Sequence, residues 1–207
     1  MTVTPARDVF ASAAHGFAAL VRQIPAARWD DPGLGEWSVR DLVGHTSRSL
    51  VTVSTYLRAP APREDVADAV GYYVWVQDYM AGADAAAIVE RGRQAARDLG
   101  ADPVGKIDAL VATVLGELDA VEDDPLIEVI GGQGIRLSSY LPTRTFELAV
   151  HGLDIARAVG LDVTPPVEVL ADAAALAARI GVALGTGPTL LLALTGRHGL
   201  PAGFSVV

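Results

Sequence analysis

A chain of 207 residues, 51% apolar and 20% charged, holds enough apolar material for one good-sized core and is too hydrophobic to be disordered. Its net charge of −9 and pI near 4.8 argue against a nucleic-acid or anionic-membrane partner, since both need clustered Lys and Arg. The absence of cysteine excludes disulfides, thiolate metal sites and a cysteine nucleophile, so any metal must be held by His, Asp, Glu or water, and any thiol chemistry needs a thiol brought by a cosubstrate.

Alanine, valine, leucine and glycine dominate while aromatics make up 6%, a balance that favours closely packed helices over a β sandwich. Pro5 suits a first helical turn, and Val9, Phe10, Ala13, Phe17, Leu20, Val21 and Ile24 recur mostly at three- and four-residue steps, which predicts a helix from residue 5 to Ile24. A linker over 25–36 follows. Ser38 with Asp41 three residues on reads as a capping-box variant opening a second helix that runs to about Leu57. Pro60 and Pro62 mark a loop. From Val66 to Leu99 the pattern is helical but broken near Gly82, giving one piece to Met80 and another from Asp84, with Gly100 placed as a C′ glycine. The next helix spans Pro103 to about Val121, with Ile107, Leu110, Val111, Val114, Leu115 and Leu118 turned inward.

Residues 126–130 and 135–137 flank Gly131-Gly-Gln-Gly134, which reads as a short hairpin. The turn fits neither GxGxxG nor GxxxxGK[ST] and carries no Lys, so it is not read as a phosphate loop. A helix from about Ser138 to Gly160 follows, then one from Pro165-Pro166 to Leu184, a short one over Pro188 to Leu194, and an extended tail. The most apolar stretch, Gly181 to Gly196, is too short to span a bilayer, and Met1 to Asp8 has no apolar signal core, so a cytoplasmic protein is expected. One domain is expected over 1–207, a bundle over 5–160 with a helical extension and tail over 161–207.

Glu147 and His151 lie one helical turn apart, which places a carboxylate and an imidazole on one face with Cβ atoms about 5–6 Å apart. That is within reach of one shared metal. Phe146, Leu148, Ala149, Val150 and Leu153 surround them, and a carboxylate among such neighbours needs a partner or a metal. Arg144, three residues before Glu147, offers the other reading, a surface ion pair, and composition does not separate the two. His45, in the first half of the second helix, would complete a three-ligand set, although a lone histidine there is more often a core or surface residue. His15 reads as a surface or packing residue of the first helix and His198 as a turn residue. Ser47 and Ser49 near His45 lack the GxSxG elbow of a serine hydrolase. Tyr72, Tyr73, Trp75 and Tyr79 fit core positions better than a pocket lining.

The run Trp37-Ser-Val-Arg-Asp-Leu-Val-Gly-His45 resembles the second-helix signature of the DinB-like metal-binding superfamily, in the branch typified by mycothiol-dependent maleylpyruvate isomerase. Arg144-Thr-Phe-Glu-Leu-Ala-Val-His-Gly-Leu-Asp154 is similar to that branch's second signature, and the tail from Leu194 to Ser205 also resembles its short members. The resemblance implies an all-α, DinB-like four-helix bundle with a short hairpin and one or two extra C-terminal helices. It implies that His45, Glu147 and His151 share one divalent metal, zinc before others, with mycothiol as the thiol cosubstrate of an isomerase or S-transferase acting on a small electrophile, in a protein whose relatives often form homodimers. Two His and one Glu leave a fourth position open, as catalytic zinc sites do. Asp154 and Asp41, each about one turn from a histidine, are candidates to orient an imidazole, with plain solvent exposure the rival reading. Members that isomerise maleylpyruvate carry a separate C-terminal α/β domain, whereas about 47 residues follow Gly160 here. The expectation is therefore the metal site and thiol use rather than that substrate. The reading from another class is a non-catalytic metal- or ligand-binding bundle.

Overall fold

The computed structural model describes residues 5–82 and 85–207, side chains of 85–88 excepted. Four helices form the bundle: α1 (Ala6–Val21), α2 (Val39–Tyr56), α5 (Pro103–Asp119) and α6 (Leu137–Val159). Each of α1 and α2 packs against both α5 and α6. Around this bundle lie α3 (Ala69–Ala81), α4 (Ala85–Asp98), α7 (Val167–Ala183) and α8 (Gly187–Leu194), with the two strands β1 (Leu126–Val129) and β2 (Gln133–Arg136). The expected all-α bundle with a short hairpin is therefore present. One hydrophobic cluster runs through it, with Phe10, Leu42, Leu50, Ile107, Leu141 and Ile155 among its fully buried members.

Local chemistry sets the ends of the helices that matter. The Ser38 side chain accepts from the Asp41 amide at 3.1 Å, and the Asp41 carboxylate accepts from the Ser38 amide at 3.1 Å, a reciprocal capping box that fixes where α2 begins. Ser38→Ala should lower stability by about 1 kcal/mol in chemical denaturation. At the head of α6, the Asp124 carboxylate accepts from both the amide (2.8 Å) and the hydroxyl (2.7 Å) of Ser138. Its other end is closed by Gly160 at φ 72°, with the Leu161 amide donating back to the Ala156 carbonyl at 2.9 Å.

Two boundaries differ from the sequence expectation by three residues. The first helix ends at Val21 rather than Ile24, because the amides of Gln23 and Ile24 donate three residues back and tighten the last turn before Pro25. The piece expected from Val66 starts at Ala69, where the Asp68 side chain caps the Gly71 amide, and Val66 instead bridges to Ile135. Asp84, the expected start of the next piece, lies outside the described residues.

The hairpin pairs antiparallel, Ile127 opposite Ile135, and turns through Gly131 and Gly132, both at positive φ. The loop over 59–66 clasps it. The Glu128 amide donates to the Ala59 carbonyl (2.7 Å), the Ala61 amide to the Leu126 carbonyl (3.0 Å), and the Gly134 amide to the Asp65 carboxylate (2.9 Å). This brings Ile130 to the wall of a half-open cavity lined from α2, α3, α4 and α6.

Candidate metal centre

α2 and α6 lie side by side, as a shared site between His45 and the Glu147–His151 pair requires. Among the described residues, ligand atoms of His45, Glu147 and His151 all lie within 4.8 Å of one another. The two imidazoles meet edge to face with centroids 5.0 Å apart. His151 Nε2 stands 3.3 Å from Glu147 Oε2. Two atoms each about 2.0–2.1 Å from a tetrahedral zinc are about 3.3–3.4 Å apart, so this pair needs almost no adjustment to share an ion and His45 needs a modest approach. The donor set of two imidazoles and one carboxylate fits a divalent metal.

The surroundings orient each donor. His151 Nδ1 faces Asp154 Oδ2 at 3.2 Å, which turns Nε2 toward Glu147. The Tyr73 hydroxyl donates to Glu147 Oε1 at 2.8 Å and thereby leaves Oε2 for the imidazole. The Trp37 ring lies 4.4 Å from that of His45, tilted by 33°. Asp41 is engaged with Ser38 and so serves the helix start rather than His45. Asp154→Asn should lower zinc affinity about 10- to 100-fold, read by competition with a chromogenic chelator, while leaving helix content unchanged.

Burial and neighbouring charge move these groups in opposite directions. Burial, followed by the positive charge of His151, lowers His45 from 6.5 to about 4. For His151 burial works against the proton, yet the bonds to Asp154 and Glu147 prevail and raise it from 6.5 to about 9. Glu147 is opposed by burial too, and the bond from His151, the Arg144 charge and the Tyr73 hydroxyl carry it down from 4.5 to about 2. In the metal-free protein, His151 adds stability that is full below pH 6.5 and is lost as the pH rises through 9. His45 acts the other way, with stability falling as the pH drops from 6.5 toward 4. Imidazole NMR on metal-free protein should accordingly find His45 neutral and His151 protonated at pH 7, and His151 would have to give up that proton to serve as a ligand.

Arg144 does not form the surface ion pair that its spacing allows. Among the described residues no carboxylate lies within salt-bridge distance of it, and its guanidinium sits over the rings of Tyr140 (5.0 Å to the centroid) and Tyr72 (5.6 Å). Its Nε donates to the Thr143 hydroxyl at 3.0 Å. Tyr72 and Tyr73 are both buried, and with Arg144, Arg48 and Glu147 they border a cavity of about 200 Å³ beside the triad. His15 and His198 are exposed and do not join the triad, and the Ser47 hydroxyl is taken up by the Gly44 carbonyl at 2.7 Å. Sequence reasoning missed the roles of Tyr73 and Trp37, since neither spacing nor composition distinguishes an aromatic that merely fills a core from one that touches a ligand. Trp37, eight residues before His45 at the entrance to α2, carried the better signal.

Fold and site together define a class: helical bundles in which two histidines and a glutamate from neighbouring helices converge at the edge of a cavity. Over residues 10–156 the chain matches the family described as mycothiol maleylpyruvate isomerase N-terminal domain, and it belongs to that family. This bears out the resemblance carried by the two motifs. Comparisons with curated proteins and with solved structures found no match. No helix among the described residues is long and apolar enough to cross a membrane.

Proposed function

We propose that this protein is a metal-dependent enzyme in which His45, Glu147 and His151 hold a divalent ion, zinc by preference, and a low-molecular-weight thiol is activated for transfer to or isomerisation of a small electrophile. The observation that carries the reading is the convergence of three ligand atoms within 4.8 Å at the edge of a cavity, in a chain without cysteine. When bound, such an ion supplies the positive charge that deprotonates a coordinating thiol near neutral pH. The chain's own residues do the rest. Asp154 holds the His151 ring in place, Tyr73 fixes the Glu147 carboxylate, and the tyrosines and Val76 line the cavity beside them. Side-chain exposures of 24% for Glu147 and 16% for His151 leave the donors screened yet reachable.

Membership of the family supports mycothiol as the thiol. The same reading takes the chain as one cytoplasmic DinB-like domain, bundle 5–160 with extension 161–207. Association of two copies is supported by the exposed Leu191 and Leu194 on α8. The deciding experiment combines metal analysis of protein purified without a histidine tag with a mycothiol-dependent turnover assay against a panel of electrophiles. One equivalent of metal and thiol-dependent turnover are expected. Metal without thiol binding or turnover would leave a non-catalytic metal-binding bundle, and no metal at all would remove both readings.

A further inference from the structure

With 25 acidic and 16 basic residues, this chain pairs much of its positive charge: Arg22, Arg58, Arg97 and Arg136, for example, each lie within salt-bridge distance of a carboxylate. Three cations break that pattern in one place. α4 and α5, joined by residues 99–102, each pack on α2 but hardly on each other, which leaves a groove of about 610 Å³ over the α2 surface. Arg48 from α2, Arg91 from α4 and Lys106 from α5 border it, and among the described residues none of the three has a carboxylate within salt-bridge distance. The single carboxylate at the groove, Asp98, accepts from the Gln94 side chain at 2.8 Å. Three positive charges therefore face one negative charge, in a chain whose net charge is −9. Like charges brought together from three helices repel one another, and an anion lying between them removes that repulsion.

We propose that this groove binds a small polyanion with at least two anionic groups, phosphate before carboxylate, held between Arg48, Arg91 and Lys106. Two guanidinium forks and one ammonium suit a phosphate best, because its several oxygens accept paired N–H donors from the forks while the lysine acts as a point charge. A second anionic group is needed to engage all three cations, since they come from three separate helices. The groove's size fits a molecule of metabolite dimensions, and helices bound it on three sides. Arg48 and Arg91 also border the cavity beside the triad, so the two spaces adjoin. The groove itself contains none of the three metal-site residues, and the proposal stands whether or not the triad holds a metal.

The test uses the full chain, as purified and after treatment with a chelator, titrated calorimetrically with pyrophosphate, with orthophosphate and with hexaglutamate. Pyrophosphate should bind one to one in both forms, and roughly 3- to 10-fold more tightly than orthophosphate, which has one anionic group to offer. Arg91→Gln and Lys106→Gln should each weaken pyrophosphate roughly 3- to 10-fold, and the double variant roughly 10- to 100-fold. Both side chains are exposed, so these variants keep the fold. Arg157→Gln removes the same charge from an exposed position on α6 outside the groove and should leave the affinity unchanged. No pyrophosphate binding, an equal loss from Arg157→Gln, or an affinity that neither groove variant changes would each overturn the site. Binding that disappears on chelation places the anion on a bound metal and overturns it too. Hexaglutamate bound more tightly than pyrophosphate would assign the groove to an acidic protein segment and overturn the small polyanion. Protein that purifies without metal yet binds pyrophosphate through Arg91 and Lys106 removes the reading of the triad and supports this one.

Discussion

His45→Ala is expected to abolish stoichiometric zinc binding, lowering affinity by more than the roughly 100-fold that changes in orienting residues produce. It removes one of three donors, and it does so from α2, so that Glu147 and His151 are left as a two-donor pair on α6 alone. Two donors on one helix are held together by local structure, whereas the third is delivered by the packing of α2 against α6. Glu147→Gln should be nearly as damaging, because the neutral amide is a poor ligand and leaves the protonated His151 with Asp154 as its one carboxylate partner. His45→Ala removes no member of the main hydrophobic cluster, so that metal-free variant should stay within about 1 kcal/mol of the parent in denaturant unfolding, whereas Glu147→Gln should also lose, at neutral pH, the stability that Glu147 lends the His151 proton. Equilibrium dialysis with zinc is the check. One equivalent of zinc retained with unchanged affinity by His45→Ala would sink the proposed site.

Gly44→Ala should destabilise the protein although it replaces glycine inside a helix. Helix propensity by itself favours alanine by about 0.5–1 kcal/mol. At this position, however, an added Cβ would come within 2.6 Å of the Ala96 Cα, on backbone that cannot turn aside. α2 and α4 cross here at close range, and the same interface seats Gly92 against the Trp37 ring. Overpacking of this kind is worth about 1–3 kcal/mol, so it outweighs the propensity gain. For a chain of this size each kcal/mol lowers Tm by roughly 2–4 °C. The effect reaches the site, because α4 pushed outward releases Trp37, whose ring backs His45, and zinc affinity should fall with stability. Gly116 is the matched control. It lies in α5 with open space around its Cα, and Gly116→Ala should raise stability by about 0.5–1 kcal/mol. Thermal unfolding of the two variants side by side tests the argument, and equal Tm shifts of the same sign would refute it.

The elements of this fold were legible because most are announced by local chemistry. Ser38 and Asp41 satisfy each other's amides at the start of α2, Pro103 and the Asp102 cap open α5, and Gly160 closes α6 at a positive φ. The boundaries that moved did so where a longer-range partner intervened, as when Val66 left its expected helix to bridge Ile135 in the hairpin. The pairing of Glu147 with His151 is likewise local, fixed by the helical repeat. Arg144 shows where that reasoning stops. Its spacing from Glu147 permits an ion pair, and only the presence of Tyr72 and Tyr140, from α3 and from one turn earlier on α6, draws the guanidinium into the cavity instead.

By itself, then, the sequence determined the helices, their caps, the carboxylate and imidazole one turn apart, and, through two motifs, the family. What only the tertiary structure decided is which further groups meet across elements around the His45, Glu147 and His151 set that the motifs imply: Tyr73 on Glu147, Trp37 on His45 and Arg144 between its tyrosines. The physical reason is range. Caps and same-face pairs depend on neighbours within one helical turn, whereas a convergence of side chains from separate helices depends on close approaches such as Gly44 on Ala96, which no local pattern encodes.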